Sequence, residues 1–84
     1  MTHNTREVLG EAAYIRRTVE ILLDRIGDVE RAVSGGENLT AKQEQEMQRA
    51  NGAWADGIKD QVELATRFAD EWCREVLTIV ERIR

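Results

Sequence analysis

Proline is absent from this chain. No ring therefore forces a helix to kink or stop anywhere along it. Histidine and cysteine occur once each, as His3 and Cys73. One histidine excludes histidine-rich zinc centres and the paired Glu-x-x-His sites of di-iron bundles. One cysteine excludes a disulfide within the chain. Aromatic residues are few: Tyr14, Trp54, Phe68 and Trp72. No block of lysine and arginine appears, so nucleic-acid binding is not expected. The longest strongly apolar run is Ile21, Leu22 and Leu23, far too short to span a bilayer, and no membrane partner is expected. The opening stretch MTHNTREVLG lacks the basic and apolar regions of a secretion signal. A soluble, cytoplasmic protein is the resulting expectation.

What remains is helical composition. The 84 residues carry 16 acidic and 12 basic side chains, a net charge of −4, with the signs interleaved as on solvated helix faces. Leu, Ile, Val and Ala supply most of the apolar content. They fall in register: Val8, Ala12, Ile15, Val19, Leu22, Ile26, Val29 and Val33 recur at alternating steps of four and three. That is a heptad seam over 26 residues. Leu9 and Leu23 widen it. Asn4 and Thr5 are candidate N-caps, with Glu7 three places after Asn4. Ser34-Gly35-Gly36 ends the helix, glycine being suited to a left-handed cap.

A second seam follows the same steps through Ile58, Val62, Ala65, Ala69, Trp72, Val76, Ile79 and Ile83. Trp54 and Phe68 widen one flank; Cys73 and Val80 widen the other. Glu63 with Arg67 and Asp70 with Arg74 have the spacing of stabilising surface pairs.

Between the seams lies LTAKQEQEMQRANGAW, residues 39–54, strongly helical but almost wholly polar. Thr40 and Gln43 form a capping box at its start. If this stretch simply begins one long helix, a tight turn sets Val29 against Glu44 and Gln45, and the end of the second seam overhangs. If the chain bends at Asn51-Gly52, Ile26 meets Ala65 and Leu22 meets Ala69, large side chains against small ones. The second arrangement gives the better core. It predicts one all-α domain over residues 1–84: an antiparallel helical hairpin with helices over about 5–34 and 53–84 and a short connecting helix over about 40–50. Two helices bury only one stripe each, so a homodimeric four-helix bundle or a higher helical oligomer is expected.

No catalytic constellation stands out. Cys73 has no histidine within its own helix to activate it and reads as a small buried hydrophobe. No phosphate-loop or metal-ligand motif occurs, so no enzyme activity, metal or cofactor is expected. Tyr14, Arg17 and Ile21 share an outer face of the first helix. With Trp54 they are the candidate partner- or ligand-binding residues, because tyrosine, arginine and tryptophan are favoured at contact surfaces. The expectation is a non-catalytic interaction protein that associates with itself and binds another protein as a regulator, adaptor or inhibitor. Two alternatives are a binder of small anionic, nucleotide-like ligands, using Tyr14 with Arg16 or Arg17, and a structural subunit of a larger bundle.

Overall fold

A computed structural model describes residues 2–36 and 38–83. It is all-helical, with no strand among those residues: α1 spans His3–Gly35 and α2 spans Ala41–Ile83. Each helix belongs to its own compact unit, the division falling between Leu39 and Thr40. Residue 84, the expected last helical residue, and the side chain of Ile83, the expected end of the second seam, lie outside the description.

α1 begins earlier than Asn4 and Thr5 suggest. Thr2 is the N-cap, and its hydroxyl oxygen accepts from the Thr5 backbone N–H at 3.2 Å. The Arg6 N–H donates to the Thr2 carbonyl at 3.1 Å. Threonine at position 2 thus satisfies a first-turn donor that helix geometry leaves orphaned. The other end stops where the glycines predicted, but by a different device. Gly36 has φ −90° and ψ 56°, not the left-handed conformation, and its N–H donates to the Val33 carbonyl at 3.2 Å. Space rather than φ favours glycine here: a Cβ at position 36 would sit 3.2 Å from the Ala32 carbonyl oxygen.

α2 opens on the predicted capping box. The Thr40 N–H donates to Gln43 Oε1 at 3.0 Å, and the Gln43 N–H donates to Thr40 Oγ1 at 3.2 Å. The helix then runs unbroken for 43 residues. The expected bend at Asn51-Gly52, and with it a separate connecting helix over 40–50, is not present: both residues are helical. The energetic reason is simple. A glycine inside a helix costs about 1 kcal/mol. A break exposes new helix ends, whose orphaned N–H and C=O groups need other partners. The flanks of Gly52 are rich in Ala, Gln, Glu and Met, all good helix formers, so continuity wins.

Surface chemistry supports both helices locally. Arg74 reaches Asp70 at 3.1 Å and Glu71 at 3.3 Å; Arg31 pairs with Asp28; Lys59 lies 3.9 Å from Asp56. Glu63 and Arg67, despite their spacing, do not pair. Such exposed pairs contribute at most about 0.5 kcal/mol each. Thr18, Thr66 and Thr78 donate their hydroxyls to the carbonyls of Tyr14, Val62 and Arg74, four residues back. That satisfies a polar group which would otherwise compete with the helix.

No described residue is buried. Leu22 and Ile26, midway along the first seam, are 40% and 42% exposed. Trp72 and Val76 of the second seam are half-buried. Cys73, read from the sequence as a buried hydrophobe, is exposed. A helix shields its own side chains only through neighbours three and four residues away. Complete burial of a seam requires a second element laid along it.

Candidate contact surfaces

The candidate residues divide between the two helices. Tyr14, Arg17 and Ile21 follow the spacing i, i+3, i+7 on α1 and so share a face. Counted in the heptads of the seam, they occupy its outer side, away from Ile15, Val19 and Leu22. Tyr14 is 70% exposed and Ile21 and Arg17 are exposed as well. The Tyr14 backbone carbonyl accepts the Thr18 hydroxyl at 2.9 Å, while its ring stays open to contact. Neither Arg16 nor Arg17 is engaged in an ion pair among the described residues, whereas Arg31 and Arg74 are. Arg17, three residues on from Tyr14, shares its face, so an unpaired guanidinium and an exposed phenol can together receive an anionic or aromatic group from outside.

Trp54 lies on α2, on the flank of its heptads, and is also 70% exposed. The residue three places on is Gly57, around whose Cα a side-chain carbon would meet nothing within 4 Å. The indole therefore stands beside open surface. Phe68, two heptads further along the same flank, is 66% exposed. By its heptad position it widens the seam. Its spacing of fourteen residues from Trp54 puts the two on one edge of the helix, about 21 Å apart. Tyr14, Arg17 and Ile21 make one patch on α1; Trp54 and Phe68 stand as two separate exposed aromatics on one flank of α2.

A shallow depression of about 410 Å³ runs along the end of α2, lined by Glu71, Arg74, Glu75, Thr78, Ile79 and Arg82. Its charges are mixed: Glu71 and Glu75 against Arg74 and Arg82. Arg74 is already held by Asp70 and Glu71, and Glu75 adds a further negative charge. No three metal-ligating side chains converge among the described residues. No described helix is long and apolar enough to cross a membrane. The depression is open to solvent rather than enclosed, so it offers a surface and not a cavity.

No family model, curated protein or solved structure matches the chain.

Proposed function

We propose that this chain is a non-catalytic helical interaction protein that associates with itself through its two apolar seams and occupies a surface of another protein, as a regulator, adaptor or inhibitor does. The observation that supports the reading is the exposure of both seams along helices that are otherwise well capped. Aliphatic rows of this length in water are costly to leave bare, at roughly 25 cal/mol per Å². Antiparallel pairing of the seams in an assembly of two copies removes most of that cost. The outer residues Tyr14, Arg17 and Ile21 are not needed for such pairing, which leaves them for a different protein. The test is capture from the native host with the unaltered chain and with a Tyr14→Ala, Arg17→Ala double variant. A specific protein recovered by the first and lost with the second supports the reading. Identical recovery by both, or none, refutes it.

A second reading is favoured by the unpaired Arg17 on the face of Tyr14, with Arg16 next to it in sequence. These groups suit a nucleotide-like anion, with the ring stacked on tyrosine and a phosphate on arginine. A nucleotide that binds only the folded state raises the unfolding temperature. No shift at millimolar nucleotide rules this reading out.

A further inference from the structure

We infer that the seams pair between two copies of this chain by exchange of arms, α1 of each copy lying antiparallel on residues 58–83 of the other. This rests on the self-association proposed above and specifies its geometry.

The argument begins with register. Laid antiparallel with Val33 level with Ile58, the two seams match along their whole length. Ile26 then meets Ala65, Leu22 meets Ala69, Val19 meets Trp72 and Ala12 meets Ile79. Each alanine faces a larger aliphatic residue and the tryptophan faces a valine, so the layers are even in volume. A tight hairpin within one chain has no such match, because it sets Val29 against Glu44 and Gln45.

The continuity of α2 decides which copy supplies the match. In the full-length register Gly35 is level with residue 56. With α2 unbroken, Ala41 then lies 15 residues beyond that level along the helix axis. At 1.5 Å per residue, and with the helices about 9 Å apart, Gly35 and Ala41 are about 24 Å from each other. The connection between them reaches about 21 Å even when fully extended. It is not fully extended: the Gly36 N–H closes on the Val33 carbonyl, and Thr40 is committed to its capping box. One chain cannot both keep α2 continuous and close its own seam in this register. Two chains can. Every valine, leucine and isoleucine of the α1 seam is 37–61% exposed and so has surface to lose to a partner; Ala12 is half-buried.

The exchange also gives the polar stretch a place. A two-fold axis across the middle of the assembly lays residues 41–57 of the two copies against each other. Gln48 is then level with Asn51 of the partner subunit, and polar layers meet polar layers. A single polar layer of this kind fixes register in paired helices.

The test uses a Cys73→Ser chain, into which Val29→Cys and Val62→Cys are introduced singly and together. Val29 of one copy is level with the partner's Val62 in this register. The two singly substituted chains are mixed, unfolded, refolded together and treated with a short bis-maleimide. The expected result is a covalent dimer from the mixture and from the doubly substituted chain, and none from either single variant alone. A covalently closed monomer from the doubly substituted chain overturns the exchange, because it places the pairing within one chain. A dimer from Val62→Cys alone overturns it too, by setting like segments in parallel. Absence of any cross-link in the mixture overturns the register. Sedimentation of the unsubstituted chain separates the two levels of failure. A dimer without the cross-link sinks the exchange alone; a monomer sinks the self-association as well.

Discussion

The two halves of α2 are one helix by geometry and two different objects by chemistry. Residues 41–57 hold their conformation with a capping box and good intrinsic propensity, and their apolar side chains are little more than Met47, Trp54 and alanines. Residues 58–83 carry a full heptad seam. Both are helical without a break. Helicity in residues 41–57 is therefore local in origin, set by the capping box and by the near absence of strong breakers, whereas the seam of residues 58–83 is the part that, on the function proposed above, takes a partner. A charge placed in each half of the molecule should expose that division. Leu22→Asp puts a carboxylate in the middle of the α1 seam. Once that seam is paired, the charge must be buried unsatisfied or hydrated by separating the helices, at a cost of at least about 3 kcal/mol. On the proposed self-association, assembly and folding are coupled, so the helicity of the seam segments and the oligomeric state should fall together in circular dichroism and sedimentation. The same charge at Gln45, in the polar stretch, should cost under about 1 kcal/mol. A Leu22→Asp chain that remains a helical oligomer at the original stability breaks the seam assignment.

The junction between the halves is the next lever. Proline at position 52 removes a backbone donor and clashes with the preceding turn, costing about 3 kcal/mol to a continuous helix. The chain can avoid that cost by bending at Asn51-Gly52, and a bend there shortens the path from α1 to Ile58. Gly52→Pro should therefore convert the assembly to a closed monomer, with the Val29–Val62 cross-link moving from between chains to within one. Gly52→Ala should do the opposite. A Cβ there meets nothing within 4 Å, so the substitution adds about 1 kcal/mol of helix stability and leaves the oligomer intact. If both substitutions leave the sedimentation and the cross-link unchanged, the junction plays no part in assembly.

A smaller effect is expected at the start of α2. Thr40→Ala removes the oxygen that accepts the Gln43 N–H and should cost about 1 kcal/mol. Thermal unfolding followed at 222 nm reports it. The loss should be largest in chains where the seam is already weakened, since packing there no longer holds the helix for it. An unchanged midpoint in a Leu22→Asp background breaks the view that residues 41–57 rely on local interactions.

Much of this was readable from residue spacing. The all-helical class, the two seams, the Thr40–Gln43 box and the Asp70–Arg74 pair follow from periods and offsets that act over one or two turns. The errors have a common cause. Asn51-Gly52 was read as a turn because both residues are common there, yet its outcome depends on the summed propensity of some ten residues on either side. Gly36 has the residue type of a left-handed cap, but it is the close approach of the Ala32 carbonyl that disfavours a side chain there. Cys73 was placed in a core on the strength of its seat beside Trp72, but burial depends on a neighbouring element that spacing within one helix does not supply. The candidate contact residues were legible as faces: Tyr14, Arg17 and Ile21 from their offsets, Trp54 from its position off the seam. Phe68, exposed on the same flank, is legible from the same spacing.

The smallest effect on stability, and the most informative on function, is expected at Tyr14. Its ring is exposed, it sits on the outer side of the α1 heptads, and only its backbone carbonyl makes a hydrogen bond. Tyr14→Ala leaves that carbonyl and the Thr18 hydroxyl in place, and alanine is the better helix former, so helicity and oligomeric state should change by less than about 0.5 kcal/mol. Removing the ring deletes the part of the patch best suited to anchoring a partner, since aromatic truncations at contact centres cost 2 kcal/mol or roughly thirtyfold in affinity and more. The comparison that matters is with Leu22→Asp, one turn-pair along the same helix. One variant should lose assembly, the other only its partner. Binding measured by titration calorimetry against the captured protein, with sedimentation run alongside, checks both at once. Undiminished binding by Tyr14→Ala moves the contact surface elsewhere, with the exposed aromatics Trp54 and Phe68 on α2 the next place to cut.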